Sequence, residues 1–260
     1  MKKLIKTALR SIGLDLIRYE PDVIQTQLRE HCSDLTEEEK KIILAAGEYT
    51  MTGVQRMVAL MHATTYLVQN KIPGDIAECG VWRGGSMMVV AQTLLANHDL
   101  SRSLYLYDTY EGMSPPTAED VSLDGRTAEI QLKEEPRGTG VWCEASIEDV
   151  RANMISTGYP EDKIHLIKGK VEDTIPQTLP SHLALLRLDT DWYESTRHEL
   201  QHLYPLLDPR GILILDDYGH WQGARKAVDE YFQSIGDPVY FHRIDYSARL
   251  LVRNGKTPNS

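Results

Sequence analysis

Ile76-Ala77-Glu78-Cys79-Gly80-Val81-Trp82-Arg83-Gly84-Gly85-Ser86 decides how this 260-residue chain is read. A short apolar run ends in an acid, glycines follow at 80, 84 and 85, and an apolar helical pattern opens at Met87. That order reads as strand, tight loop, helix. Glycine adopts backbone angles closed to other residues, and without a Cβ it lets a ligand come close to the chain. A helix that starts just beyond points its free N–H groups at that ligand. The dinucleotide fingerprint needs Gly-x-Gly-x-x-Gly, and Trp82 holds the place of its second glycine. The spacing here is Glu-x-Gly-x-x-x-Gly-Gly. A plain strand-to-helix turn carries similar glycines, so the rest of the chain must decide the ligand.

Outward from this loop the chain alternates. Apolar runs at 76–81, 104–107, 164–167, 183–188 and 212–215 predict strands, and helical patterns at 87–96, 146–156, 195–207 and 222–234 separate or follow them. Near-continuous apolar strands alternating with helices imply a parallel sheet covered on both faces. After Gly236 and Pro238, the β-rich runs 239–244 and 248–252 flank only Asp245, Tyr246 and Ser247, and read as a closing hairpin. The predicted fold is α/β, a mostly parallel seven-stranded sheet with a C-terminal antiparallel hairpin. Upstream, Thr36-Glu37-Glu38-Glu39 has the form of a capping box opening a helix to about Ala46. Met57, Leu60, Met61, Thr64 and Leu67 form one face of a second helix. The stretch 111–142 has no clear periodicity and is rich in Pro, Gly and charge. A loop of that length in a compact domain is usually functional or disordered; it leaves the second strand at the ligand edge, so it reads as a lid.

Composition narrows the partners. Lys and Arg number 28 against 38 Asp and Glu, a formal charge of -10, and such a field disfavours nucleic acid. Cys32, Cys79 and Cys143 are odd in number and far apart. They make no disulfide framework and no Cys-x-x-Cys pair, so a reducing cytoplasm is the simplest compartment. No apolar run is long enough to span a bilayer. Lys2, Lys3, Lys6, Arg10 and Arg18 interleave with Leu4, Ile5, Leu9, Ile12 and Leu16 in a basic amphipathic pattern without the form of a signal peptide. It suits a membrane surface or packing on a partner subunit or on the domain itself. The second is taken here, and with it a homo-oligomer. Residues 1–47 are thus expected as a helical arm and 48–260 as the α/β domain.

In an open parallel sheet, ligands bind beyond the carboxyl ends of the strands. Glu78, Asp108, Asp189 and the pair Asp216-Asp217 all stand at such ends. Asp is a common turn residue, but this many acids at one edge point to a site. Asp108, at the end of the second strand, suits the hydroxyls of a ribose. Glu172 and Asp173, just past the third strand, are placed to flank its base; Asp173 also suits a helix cap. Ser86, at the helix start, suits an anionic ligand group. Asp189, Asp216 and Asp217 would repel one another unless a cation offsets them or a pKa rises. Oxygen-only ligands suit a hard ion such as Mg²⁺, which takes substrate oxygens into its shell. A sugar diol or a catechol would bind there through its hydroxyls, one of them losing its proton to a carboxylate.

The motifs together resemble one family. Glu78-Cys79-Gly80-Val81-Trp82-Arg83-Gly84-Gly85, Tyr107-Asp108-Thr109-Tyr110-Glu111-Gly112-Met113, Arg187-Leu188-Asp189-Thr190-Asp191-Trp192-Tyr193-Glu194-Ser195-Thr196, Leu215-Asp216-Asp217-Tyr218-Gly219 and Gly223-Ala224-Arg225-Lys226-Ala227-Val228-Asp229 are similar to the macrocin O-methyltransferase family, over about 49–232. The resemblance implies a class I methyltransferase fold of Rossmann-like form, with S-adenosylmethionine (SAM) and Mg²⁺ as cofactors. The acceptor it implies is a sugar hydroxyl on a natural product, such as a macrolide or aminocoumarin, or on a surface glycan. Carried over, Asp189, Asp216 and Asp217 are the metal ligands, with Asp189 also the base. Tyr49, Met51 and Arg56 would sit over the SAM, joining Glu78, Gly80, Gly84, Ser86, Asp108, Glu172 and Asp173. Catechol methyltransferases place a lysine three residues after the first metal Asp; Trp192 stands there. The proton then falls to Asp189 or Asp191. His220 is a candidate assistant to that base, and Trp142 and Trp221 are candidates for the sugar pocket. A nucleotide-dependent oxidoreductase and a non-catalytic scaffold are the competing classes. Trp82 speaks against the first and the acid trio against the second.

Overall fold

The computed structural model describes residues 23–137, 140–236 and 238–254. The basic stretch at 1–18 lies outside them. Three helices come first: α1 (Val23–His31), α2 (Glu37–Ala46) and α3 (Val54–Gln69). The capping box at the start of α2 is formed: the Glu39 amide donates to the Thr36 hydroxyl and the Thr36 amide to the Glu39 carboxylate. An alternating β/α region follows, with β1 (Asp75–Cys79), α4 (Gly85–Ala96), β2 (Leu104–Asp108), α5 (Ala128–Glu134), α6 (Ile147–Ser156), β3 (Ile164–Lys168) and α7 (Val171–Thr174). It continues through β4 (Leu183–Leu188), α8 (Tyr193–Leu203), β5 (Leu207–Leu215), α9 (Gln222–Ile235), β6 (His242–Arg243) and β7 (Arg249–Val252).

The strands form one seven-stranded sheet in the order β3-β2-β1-β4-β5-β7-β6. The five strands from β3 to β5 are parallel, and β7 pairs antiparallel with both β5 and β6. Strand side chains alternate between two cores. Ile76, Leu104, Leu106 and Ile212 join Leu28, Ile43, Met57 and Leu94 of the helices on one face. Ala77, Tyr107, Leu186 and Leu213 join Leu200, Leu203 and Phe232 on the other. Among the described residues no helix is long and apolar enough to cross a membrane.

Some boundaries differ from the periodicity. β1 ends at Cys79 rather than Val81 because Gly80 turns to φ 82°. β5 begins at Leu207, so the turn-like Asp208-Pro209-Arg210-Gly211 lies within it. Its pairing with β4 shifts register between Leu183 and Leu185 to absorb the extra residues. The terminal strands are shorter than the hairpin runs that predicted them.

The stretch 111–142 is more structured than its sequence predicts. α5 starts at a Thr127 cap and buries Ala128 and Leu132 against Trp192, Trp221 and Ala224. A bridge joins Ser122 to Trp221, and the Trp192 indole donates to the Ser114 carbonyl at 2.9 Å. Asp120 is fully buried; its carboxylate accepts from the Thr117 amide at 2.6 Å and the Tyr193 amide at 2.7 Å. Asp120→Ala should leave those amides unpaired, at a cost of about 1–3 kcal/mol. Hydrogen exchange should show amides from 117 to 128 exchanging faster while β1 and β4 stay protected. Unchanged exchange in that stretch would contradict the tether.

Candidate active site

Ladder hydrogen bonds run one residue past the central strands. The Gly80 amide donates to the Tyr107 carbonyl at 2.9 Å, Asp189 to Cys79 at 2.8 Å, and Asp216 to Leu188 at 2.9 Å. That aligns the strand ends beside a cavity of about 380 Å³, within the range of small-molecule sites. At its centre the chain is so close-packed that a Cβ on Gly80 would overlap the Asp189 carbonyl.

The glycine loop makes one wall. Gly80 and Gly84 have φ of 82° and 89°, and Trp82 takes the left-handed φ of 47° between them. The Asp108 carboxylate holds this loop. It accepts from the Val81 amide at 2.6 Å, Trp82 at 3.1 Å and Tyr110 at 2.8 Å. Burial raises the Asp108 pKa, and these three amides oppose the shift. Gly80, Val81, Trp82, Ser86, Asp108 and Glu172 line the cavity, as do Met51 and Arg56 from the segment before β1.

Other expected residues lie behind this lining. Tyr49 packs beneath the Arg83 guanidinium, 4.9 Å from it, and its carbonyl crowds Gly85. Gly84 caps α4. Asp173 sits in the short α7, off the cavity. Glu78 is fully buried and reaches Arg187, its register partner on β4, instead of the cavity. Trp221 lines the cavity, but the Trp142 indole turns to the Glu135 carbonyl. His220 also lines it, with its pKa lowered by burial.

The other wall is a chain of opposite charges. The Arg187 guanidinium binds Glu78, Asp189 Oδ2 at 2.8 Å and Asp216 Oδ1 at 2.7 Å, and donates to the Thr52 hydroxyl at 3.0 Å. Arg56 binds the second Asp216 oxygen and, through Nε, Asp245 Oδ2 at 2.6 Å. Acids still outnumber these two arginines. Burial pushes Glu78 up to about 7 against the pull of Arg187, and its Oε2 has no partner. Asp189 and Asp217 rise well above the usual carboxylate range, first from burial and then from neighbouring acids. Asp191 also rises, from burial and the Asp189 charge. The Asp191 charge in turn raises Asp217.

The ligand oxygens of Asp189, Asp216 and Asp217 lie within 4.8 Å of one another. An all-oxygen donor set with excess negative charge fits a hard divalent cation. Both Asp216 oxygens already serve arginines, so Asp189 Oδ1 and Asp217 are the freer donors.

Two functional residues carry no assignment from the sequence. Arg187 is a charge inside an otherwise apolar strand, and that anomaly is its signal. Glu199 is buried on α8 and accepts from the Thr190 hydroxyl at 2.9 Å. It steadies the corner where Asp191 takes a φ of 66°. Only the fold brings it under Thr190.

This sheet order, glycine loop and acid-lined strand edge define a class I SAM-dependent methyltransferase fold. A family model described as macrocin-O-methyltransferase (TylF) matches residues 15–251, and the chain belongs to that family and is an O-methyltransferase. It is 36% identical over 193 residues to the 8-demethyl-8-(2,3-dimethoxy-alpha-L-rhamnosyl)-tetracenomycin-C 4'-O-methyltransferase of Streptomyces olivaceus, covering 74% of this chain and 71% of that one. It is 33% identical over 183 residues to the mycinamicin III 3''-O-methyltransferase of Micromonospora griseorubida, covering 70% of each. The solved structure of the O-methyltransferase NovP is 30% identical with a TM-score of 0.68, covering 79% of this chain and 82% of that one.

Arg187→Met should strand Glu78 and Asp216 without their shared cation. Breaking a buried pair in this way costs about 3–5 kcal/mol, and urea unfolding should show a loss of that order. An unchanged midpoint would contradict the role given to Arg187.

Proposed function

We propose that the protein transfers the methyl group of SAM to a sugar hydroxyl in a Mg²⁺-dependent reaction. The observation that carries this reading is the meeting of the glycine loop and the acid trio in one cavity. The named relatives that methylate sugars of antibiotics support the acceptor class.

Each half has its task. Gly80 to Ser86 and Asp108 receive the nucleoside and amino-acid ends of SAM, with Glu172 near the base and Met51 at the mouth. Asp189, Asp216 and Asp217 would hold the cation, which when bound offsets their charge and acidifies the acceptor hydroxyl. Asp189 is both ligand and base in the simplest carry-over. The geometry favours dividing those tasks, because Arg187 already holds one Asp189 oxygen. Asp191 lines the same cavity and is assigned the proton. Once deprotonated, the acceptor oxygen attacks the methyl carbon in line with the departing sulfur. The 111–142 excursion contributes Met113, Ser114, Gln131 and Val141 to the lining. It covers the site and excludes water.

Asp191→Asn should lower methyl transfer by about 10²-fold or more, on the scale of general-base catalysis. Calorimetric affinity for S-adenosylhomocysteine should stay unchanged. Turnover near wild type would remove Asp191 as base. Separately, EDTA should stop turnover and added Mg²⁺ restore it; indifference to chelation would remove the metal from the reaction.

A further inference from the structure

The turn between β6 and β7 connects two different environments. Tyr246 and Ser247 line the cavity, while Arg243 and Arg249 donate to carbonyls of the same turn. Arg243 and Arg249 are register partners on β6 and β7. Like charges directly opposite one another on a ladder are destabilising. Arg225 of α9 joins them. Its guanidinium carbon lies 5.7 Å, and that of Arg249 5.2 Å, from the centre of the Tyr218 ring.

Their hydrogen bonds go to backbone carbonyls. Arg225 donates to Tyr218 at 3.0 Å and Arg243 to Asp245 at 2.8 Å. Arg249 donates to Asp245 at 3.3 Å, Ser247 at 3.2 Å and Ala248 at 2.9 Å. Among the described residues, none of the three forms an ion pair with a carboxylate. The nearby acids are engaged elsewhere: Asp245 with Arg56, and Asp229 with the Tyr218 hydroxyl at 2.8 Å. Burial and the charges of Arg243 and Arg225 draw Arg249 below the usual guanidinium range.

A cluster of uncompensated guanidiniums on a chain of net charge -10 is a marked local reversal of sign. Arg243 is exposed and Arg225 and Arg249 half-buried, so an anion can reach them. Guanidinium forks match phosphate oxygens in geometry and charge. The cluster stands behind the acceptor side of the cavity: Arg243 and Arg249 hold the carbonyls of Asp245 and Ser247, and Tyr246 and Ser247 line it.

We propose that Arg225, Arg243 and Arg249 bind a phosphate or diphosphate group of the acceptor, so that the sugar is methylated while attached to a phosphorylated carrier. The acceptor part of this proposal rests on the methyl-transfer reading; the anion site does not.

Calorimetric titration in metal-free buffer tests it, with inorganic pyrophosphate and S-adenosylhomocysteine as separate probes. Wild-type protein should bind both. Arg243→Gln should weaken pyrophosphate about tenfold, the loss of one charge-assisted contact, and leave S-adenosylhomocysteine unchanged; Arg243→Lys should recover part of the loss. Arg243 is exposed, so these variants keep the fold. Binding of S-adenosylhomocysteine without pyrophosphate, or no effect of Arg243→Gln, would overturn the site. Binding of pyrophosphate without S-adenosylhomocysteine would overturn the methyl-transfer reading and the acceptor assignment with it. Two further probes separate the carriers. Arg243-dependent binding of UDP supports a nucleoside diphosphate sugar. Arg243-dependent sedimentation with phosphatidylcholine vesicles containing phosphatidic acid supports a lipid-linked one.

Discussion

The Arg187 guanidinium binds an acid from each of three neighbouring strands: Glu78 on β1, Asp189 at the end of β4 and Asp216 at the end of β5. Arg187 itself is 3% exposed. A charge so deeply buried persists only when paired and hydrogen-bonded. Its partners are therefore fixed in number and place, and the two halves of the cavity depend on them. Through Glu78 the arginine reaches the strand that delivers the glycine loop. Through Asp189 and Asp216 it reaches the acids that would receive a cation. Arg56 extends the chain to Asp245, tying the helix before the sheet to the hairpin after it.

The second constraint is proximity. Gly80 touches the backbone of Asp189 so closely that no side chain fits between them. Asp108 pins the start of the loop by accepting the Val81 and Trp82 amides, along with that of Tyr110. The glycine-loop wall and the acid wall consequently meet without an intervening layer. In the proposed reaction this backbone packing would bring a methyl donor on one wall to a hydroxyl on the other, and bound reactants gain much of their reactivity from such positioning.

The parallel core was legible because its strands are short apolar runs, four of the five closed by acids. Leu183–Leu188 and Leu104–Asp108 match their predicted spans within a residue. The acid trio was legible too, since the strand ends it occupies must lie along one edge. The inner order of 111–142 was not. α5 has only seven residues, and it is held by Trp192 and Trp221 from distant segments rather than by its own pattern. Tertiary burial supplies its stability, and local periodicity has no access to that. The destination of Arg56 was hidden for the same reason. Its sequence neighbours place it near a cofactor, but its nearest acids, Asp216 and Asp245, arrive from the far end of the chain. Glu78 likewise read as a ligand-facing acid, because nothing local reveals that its strand partner is an arginine.

The proposed reaction requires the acid trio to be a cation site distinct from the nucleoside wall. Electron paramagnetic resonance of added Mn²⁺, a spin-active substitute for Mg²⁺, tests this without any acceptor. Wild-type protein should quench the free-ion signal at one saturable site. Asp217→Asn should abolish that site while S-adenosylhomocysteine binds as before. Equal Mn²⁺ binding by wild type and Asp217→Asn would contradict the central claim.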